Sequence, residues 1–284
     1  MTQPAAAAGT LKLGDLTVNR LAFGAMRVAG PDIWGEPKDR AAMRRLLARA
    51  FELGHNFFDT ADSYGPDVSE ILIAEALHPY PKDLVIGTKG GLVRPTKHRW
   101  DNCGRPDHLR KAADGSLKKL RLERIDLYQY HYPDPEVPFA ESMGALAELQ
   151  RAGKIRHLGL SNVTVKQLEE ARRIAPIVSV QNEYNIEHRK DDDVIAACER
   201  AGIAFIPWFP LGAGRALRSV KVKRIAAGLG ATPAQVALAW LLARSPVMLP
   251  IPGTRSIAHL EENAAAARLA LSAGDMSALG VYRT

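Results

Sequence analysis

Four polar residues in the sequence have side chains that together suit proton transfer to an oxygen atom: Asp59, Tyr64, Lys89 and His131. A phenol is a poor acid at neutral pH, but a neighbouring ammonium such as that of Lys89 would lower the pKa of Tyr64. A partly buried lysine needs a carboxylate partner to stay charged, and Asp59 suits that part. With His131 donating a second hydrogen bond to the same substrate oxygen, the set is predicted to protonate a developing alkoxide.

Formation of that alkoxide from a carbonyl requires a hydride, which no protein side chain supplies, so this chemistry needs a nicotinamide cofactor. Asn162 and Gln181 carry amide groups that suit the carboxamide of a nicotinamide. Trp208 offers a flat ring for stacking on the nicotinamide, and a core-filling role beside Phe209 is the alternative.

The fold must bring these residues together, and the chain alternates short β-branched or aromatic runs with longer helical patterns. The predicted strands are 20–24, 56–60, 84–89, 126–131, 157–162, 178–184, 204–209 and 247–252. The predicted helices are 38–53, 69–77, 107–120, 138–151, 164–174, 191–201, 233–244 and 256–267. Eight βα units without a break in composition predict one domain over 1–284, an α/β fold that is a single (β/α)8 TIM barrel. An open, doubly wound sheet is the alternative, but no G-x-G-x-x-G follows the first strand.

In a barrel of this kind the chemistry lies at the carboxyl ends of the strands and in the loops that follow them. Asp59, Lys89 and His131 end or nearly end the second, third and fourth predicted strands, and Tyr64 follows Asp59 in a loop. Any one such residue is more often an ordinary polar group at the end of a strand. Since all of them face the same mouth of one barrel, we predict that they form one site.

Composition restricts the other classes of function. The net charge of +7 suits an anionic partner, but the basic residues are scattered along helices without interleaved aromatics, so no nucleic-acid partner is predicted. Cys103 and Cys198 provide neither a disulfide framework nor the spacing of a zinc site, and no metal is predicted. The chain begins without the features of a signal peptide and has no apolar stretch of roughly 18 residues. We therefore expect a cytoplasmic monomer or small homo-oligomer with no membrane partner.

Nine stretches of the sequence carry a resemblance to a known family: "NRLAFGAMR", "NFFDTADSYG", "GTKGG", "IDLYQYH", "GKIRHLGLSN", "VQNEYN", "PWFPLG", "ALAWLLAR" and "IPGTRSIAHLEEN". The chain resembles an aldo-keto reductase over nearly its whole length, most of all a bacterial branch that includes pyridoxal reductase-like proteins. The resemblance implies a (β/α)8 barrel that reduces aldehydes or ketones with NADPH, usually without a metal. It places the catalytic tetrad on Asp59, Tyr64, Lys89 and His131, with Tyr64 as general acid. Pyridoxal or a broad range of small aldehydes are the implied substrates.

The resemblance also implies where the cofactor binds. Contacts to the carboxamide fall on Ser161, Asn162 and Gln181, ring stacking falls on Trp208, and the loop over the pyrophosphate includes Phe209, Pro210, Leu211 and Gly212. The end of the cofactor that carries the 2′-phosphate and adenine falls on Gly253, Thr254, Arg255, Ser256, His259, Glu262 and Asn263. Among these, Arg255 and Ser256 match the 2′-phosphate contacts, while Glu262 and Asn263 match the adenine contacts. Many members have an arginine where this chain has His259, so phosphate recognition is expected to depend on Arg255.

The substrate pocket is predicted to have aromatic walls, formed by Trp34, Trp100 and Tyr132, with Phe209 as a further candidate. Trp100 lies in the stretch 91–107, which could close as a lid or be a disordered loop.

Two functions of other classes remain open. One is an aldolase with a Schiff base on Lys89, which needs a depressed lysine pKa that Asp59 would oppose. The other is an NADPH-binding regulatory protein with little turnover.

Overall fold

A computed structural model describes residues 3–280 and contains one central barrel. In chain order its strands are β1 (Thr10–Leu13), β2 (Leu16–Asn19), β3 (Phe23–Gly24), β4 (Phe57–Asp59), β5 (Val85–Gly90), β6 (Leu92–Thr96), β7 (Arg99–Asn102), β8 (Ile125–Tyr130), β9 (Ile155–Ser161), β10 (Ile177–Gln181) and β11 (Ala204–Phe205). Seven of them form one parallel sheet in the order β11-β10-β9-β8-β5-β4-β3. These seven lie where the first seven strands were predicted.

The eighth predicted strand, 247–252, closes the barrel without forming a regular strand. On one side, the N–H of Phe205 donates to the carbonyl of Val247 at 2.8 Å. On the other side, the N–H of Ala22 donates to the carbonyl of Pro250 at 3.0 Å. Proline has no N–H to donate, so the prolines at 250 and 252 interrupt the ladder. The barrel is therefore confirmed, whereas the prediction of a regular eighth strand is wrong.

Helices cover the outside of the sheet, as the alternation of strand and helix patterns predicted. They are α1 (Arg40–Glu52), α2 (Val68–Leu77), α3 (Pro106–Leu120), α4 (Phe139–Arg151), α5 (Val165–Ile174), α6 (Asp192–Ala201), α7 (Val220–Gly228), α8 (Pro233–Arg244), α9 (Ile257–Ala265) and α10 (Ala273–Ala278). α5 and α8 each begin with a capping box, in which Thr164 and Thr232 accept a hydrogen bond from the backbone of the third helical residue. α7 and α10 were not predicted from the sequence.

An antiparallel hairpin, β1–β2, precedes the barrel and was not predicted from the sequence. Its side chains Leu13 and Val18 are fully buried and belong to the same apolar cluster as Phe57 and Val85, which begin β4 and β5. The hairpin therefore packs against the amino ends of the strands. Consequently the carboxyl ends are left for polar residues.

The stretch 91–107 forms a second hairpin, β6–β7, directly after β5 and then enters α3. Its strands pair in antiparallel fashion, with Leu92 opposite Asn102. The segment is therefore ordered, and the expectation of a disordered loop is wrong.

Within residues 3–280, no single helix is long and apolar enough to cross a membrane. α7 and α8 would pass that test together on length and composition, but they are bent by 95° at the break between them.

His55 is a fully buried histidine that makes the stability of this fold dependent on pH. Its Nδ1 lies 2.9 Å from the carbonyl oxygen of Leu21. Burial lowers the pKa of His55 from 6.5 to about 4. Between these two values the unfolded chain binds the proton and the folded chain does not, so stability is present above pH 6.5 and is lost as the pH falls.

We expect the free energy of unfolding, measured with urea, to fall between pH 7 and pH 5. His55 alone should contribute about 2 kcal/mol to this loss. The matched variant His55→Asn keeps a donor towards Leu21 but does not titrate, so it should lose correspondingly less over the same interval. Identical losses in the two proteins would show that His55 takes up its proton equally well in the folded chain.

Candidate active site

A cavity of about 410 Å³ opens at the carboxyl ends of the barrel strands. The predicted site residues that line it are Asp59, Tyr64, Trp100, His131, Tyr132, Ser161, Asn162, Gln181, Trp208, Phe209, Pro210, Leu211 and Gly253. Catalytic, cofactor and pocket residues predicted from separate parts of the chain therefore meet in one place.

Lys89 and Asp59 form a buried ion pair beneath this cavity. Lys89, on β5, is fully buried, and its Nζ donates to Oδ1 of Asp59 at 2.6 Å and to the carbonyl of Thr60 at 2.7 Å. Burial opposes the charge of Lys89, but Asp59 and then Tyr64 outweigh this effect, so the pKa of Lys89 is raised. The lysine is therefore an ammonium at neutral pH, which argues against a Schiff-base aldolase.

The second oxygen of Asp59 is held by two amide side chains. Gln181 donates from Nε2 to Oδ2 at 2.8 Å, and Gln129 on β8 donates to the same oxygen at 3.1 Å. Gln129 was not predicted from the sequence, although a polar residue inside the apolar run of β8 is a usable signal. Together with Lys89, these donors fix the orientation of the carboxylate.

Tyr64 places its phenol oxygen 3.4 Å from Nζ of Lys89. Its ring contacts the imidazole of His131 edge to face, with centroids 5.9 Å apart. Burial raises the pKa of Tyr64, and Lys89 only partly offsets that effect. The predicted net lowering of this pKa is therefore wrong, because desolvation of the phenolate is the larger contribution. The phenol consequently stays protonated at neutral pH, as a general acid must.

His131 follows β8 and is a neutral imidazole. Burial, and then the charge of Lys89, lower its pKa well below the usual value. Its Nδ1 lies 3.5 Å from the hydroxyl oxygen of Ser63. A neutral imidazole has one N–H, so it can donate one hydrogen bond to an oxygen bound in the cavity.

Asn162 connects three of the predicted residues on one side of the cavity. Its Nδ2 donates to the carbonyl of His131 and to the hydroxyl of Ser161, both at 3.0 Å. Its Oδ1 accepts from Nε1 of Trp208 at 3.1 Å. Asn162 has a φ of 58°, a left-handed conformation that asparagine tolerates better than most residues. The indole of Trp208 is therefore held in place at the cavity wall.

The predicted pyrophosphate loop begins in a strained conformation. Phe209 has a φ of 49°, which costs free energy for any residue with a bulky side chain. The loop turns back on itself, since the N–H of Gly212 donates to the carbonyl of Phe209 at 2.7 Å. Gly212 is outside the cavity lining, while Leu211 and Pro210 are part of it.

The segment after Gly253 leaves the cavity and enters α9. Arg255 donates from Nε to the carbonyl of Arg27 and from Nη2 to the carbonyls of Ala29 and Gly30, at 2.6 to 2.8 Å. Ser256 caps α9 by accepting from the N–H of His259. The predicted residues of this segment that lie outside the cavity lining are Thr254, Arg255, Ser256, His259, Glu262 and Asn263.

Of the three predicted aromatic walls, Trp100 and Tyr132 line the cavity and are partly exposed to solvent. Trp34 lies outside the lining and stacks on Arg94, whose guanidinium carbon is 5.2 Å from its ring centroid.

Several residues of the cavity wall were missed from the sequence. They are Gly24, Met26, Arg27, Ile33, Leu92, Ile251 and Pro252. Most of them are apolar and occupy loops that follow strands, where an apolar residue has no distinctive signal.

The fold, the buried ion pair and the neighbouring phenol and imidazole agree with the family that the sequence resembles. The sequence pattern of the Aldo/keto reductase family matches residues 20–280, and the chain belongs to this family.

Two relatives and one solved structure are particularly informative. Pyridoxine 4-dehydrogenase of Escherichia coli is 48% identical over 282 residues, covering 96% of this chain and 98% of the relative. Aldo-keto reductase yakc [NADP(+)] of Schizosaccharomyces pombe is 33% identical over 302 residues, covering 93% and 88%. A thermostable aldo-keto reductase solved with the inhibitor epalrestat superposes with a TM-score of 0.84 at 35% identity, covering 95% of this chain and 98% of that one. These likenesses confirm the predicted fold, family and branch.

Proposed function

We propose that this chain reduces an aldehyde or ketone to the alcohol, with NADPH as the hydride donor and Tyr64 as the general acid. The observation that carries this proposal is the shared wall of the cavity. There a protonated phenol and a neutral imidazole face the same space, and the ammonium of Lys89 lies 3.4 Å behind the phenol oxygen.

The side chains of the cavity perform the proton transfer. NADPH, when bound, supplies the hydride to the carbonyl carbon, and negative charge develops on the carbonyl oxygen. Tyr64 transfers its phenolic proton to that oxygen, while His131 stabilises the developing charge through its N–H. The ammonium of Lys89 stabilises the phenolate that remains, and Asp59 keeps Lys89 charged and in position.

The cofactor is NADPH, and the residues around the cavity suit it. Gln181 uses its Nε2 on Asp59, so its amide oxygen would accept from the carboxamide. Asn162 Oδ1 has a second lone pair for the same group, and Trp208 offers a ring for stacking. Arg255 uses Nε and Nη2 on backbone carbonyls, which leaves Nη1 for an oxygen of the 2′-phosphate. The yakc relative is itself named for NADP(+).

Pyridoxal is the first substrate to test. The E. coli relative is named for dehydrogenation of pyridoxine at position 4, and that reaction in reverse is reduction of an aldehyde. We propose the same class of substrate here.

The proposal is tested by following NADPH absorbance with the purified chain and a panel of aldehydes that includes pyridoxal and propanal. Oxidation of NADPH with formation of the alcohol supports the reductase. Tight NADPH binding without oxidation for any substrate would favour the regulatory alternative. A lysine adduct trapped by borohydride, with no NADPH consumed, would favour the aldolase.

We expect Arg255→Ala to raise the Kd for NADPH by about 10- to 100-fold, the usual worth of a charge-assisted hydrogen bond. The Kd for NADH should rise less, since the variant loses only the support that Arg255 gives to the loop at Arg27 and Ala29. Titration of both cofactors by fluorescence measures the ratio, and Arg268→Ala, which removes an exposed charge elsewhere, is the control. If the ratio of the Kd for NADPH to the Kd for NADH were the same as in the parent chain, Arg255 would not bind the 2′-phosphate.

A further inference from the structure

Arg94, on β6, is a buried arginine that the proposed reaction does not use. It is 7% exposed, and its guanidinium carbon lies 3.7 Å from the ring centroid of Trp100 and 5.2 Å from that of Trp34. A guanidinium on an aromatic face is attracted by the ring quadrupole, and its planar shape allows close stacking. Arg94 therefore holds together two indoles from different loops.

The hydrogen bonds of Arg94 connect the same two loops. Nη1 donates to the carbonyl of Ile33 at 2.9 Å, and Nη2 donates to the carbonyls of Asp32 and Lys97. Ile33 and Asp32 both have positive φ values, near 59° and 58°, so the surroundings must hold this backbone in place. The hydrogen bond to Lys97 holds the turn of the β6–β7 hairpin against the loop that contains Asp32 and Ile33.

These loops form one wall of the proposed carbonyl cavity. Ile33, Leu92 and Trp100 all line it, and Tyr132 lines it as well. Trp100 is 39% exposed, so the protein does not enclose its indole on all sides. Arg94 stacks on the ring and donates hydrogen bonds to the backbone of both loops, so it is the side chain best placed to hold the indole.

We propose that Arg94 is a positioning residue that holds Trp100 as a fixed aromatic wall for substrates in which a planar ring carries the carbonyl group. This inference rests on the proposed reductase function. A flat ring gains from stacking on a fixed indole, whereas a small aliphatic aldehyde has no ring to stack on it. Arg94 thus acts on substrate selection through Trp100 and has no part in the proton transfer.

The test compares KM and kcat for pyridoxal, pyridine-4-carbaldehyde and propanal in the parent chain and in Arg94→Met. The variant keeps an apolar side chain of similar length but loses the donors to the three carbonyls. We expect KM for the two ring aldehydes to rise about 3- to 10-fold, with little change in kcat and no change for propanal. Arg99→Met, an exposed arginine on β7, is the matched control and should leave all values unchanged.

Two further variants separate positioning from a general loss of structure. Trp100→Ala should raise KM for the ring aldehydes by a similar factor, and Arg94→Met combined with Trp100→Ala should raise it no further, because both act through one ring. Arg94→Lys keeps the charge without the planar fork and should lie between the parent and Arg94→Met. Additive effects, or an equal loss for propanal, would overturn the inference.

Binding without turnover keeps this inference distinct from the proposed function. Calorimetry with pyridine-4-methanol, a ring alcohol, on the NADP+-loaded chain should show weaker binding in Arg94→Met by the same factor. If the parent chain reduces no aldehyde, the proposed function fails, and the calorimetric affinities alone test the role of Arg94. Equal affinity in parent and variant would then overturn the role of Arg94.

Discussion

Replacing Tyr64 with phenylalanine should lower kcat for aldehyde reduction by roughly 10²- to 10⁴-fold, the range in which a positioned general acid contributes. The phenol is the only acidic hydrogen that the proposed reaction moves, and phenylalanine keeps the ring that contacts His131. Lys89 retains its bonds to Asp59 and Thr60, so the ion pair should survive the change. Single-turnover kinetics with saturating NADPH measure the chemical step.

The Kd for NADPH should stay nearly the same in this variant, because the phenol is required only in proton transfer. Tyr80→Phe is a suitable control, since the Tyr80 hydroxyl also donates a hydrogen bond, at 2.6 Å to the carbonyl of Leu120 far from the cavity. It should leave both kcat and Kd unchanged. Parallel losses of turnover and of cofactor binding in Tyr64→Phe would contradict the role of Tyr64 as general acid.

Much of the fold could be predicted because the hydrophobic pattern, and with it the order of strands and helices along the chain, can be read directly from the sequence. The eighth strand shows a limit of that reasoning: 247–252 is apolar like a strand, but the prolines at 250 and 252 cannot donate to a ladder. The β1–β2 hairpin, which was not predicted, does have a sequence signal, a Gly14-Asp15 pair between two short alternating runs. α7 has no such signal, since its helical pattern is short and follows an irregular loop.

The residues of the candidate site that could be predicted are those whose location follows from the end of a single strand. Asp59, Lys89 and His131 follow from their positions at the carboxyl ends of strands. Contacts between distant strands were not predictable, because they depend on register around the barrel. Gln129 and Gln181 therefore share Asp59 in a way that the sequence does not reveal.

The direction in which the pKa of Tyr64 shifts could not be predicted from residue types either. Lys89 acts on the phenol as its charge predicts, but the opposing effect of burial is larger and depends on how the whole cavity packs. Trp34 lies outside the cavity lining, next to Arg94, which is buried although arginine is usually a surface residue.

Replacing Asp59 with asparagine should cause a large loss of both stability and turnover. Lys89 is fully buried and Asp59 is its only carboxylate partner within hydrogen-bond distance among residues 3–280, so the variant leaves a buried ammonium without its counter-charge. Breaking a buried ion pair in this way costs about 3–5 kcal/mol. Urea unfolding at pH 7 should show that loss. Turnover should fall with it, because without Asp59 burial favours loss of the Lys89 proton, and the resulting neutral amine would not stabilise the phenolate of Tyr64.

The double variant Asp59→Asn with Lys89→Met distinguishes this cause from a general loss of packing. Removing the ammonium as well should recover most of the lost stability, because no unpaired charge remains, while turnover stays low because Tyr64 still lacks its cation. Asp126→Asn is the control: the carboxylate, on β8, accepts from the N–H of Ile86 at 3.1 Å, asparagine keeps an oxygen for that bond, and the change should cost no more than about 1 kcal/mol. If Asp59→Asn alone were as stable as the parent chain, Lys89 would have to be uncharged in the folded protein, and it could not stabilise the phenolate of Tyr64 as proposed.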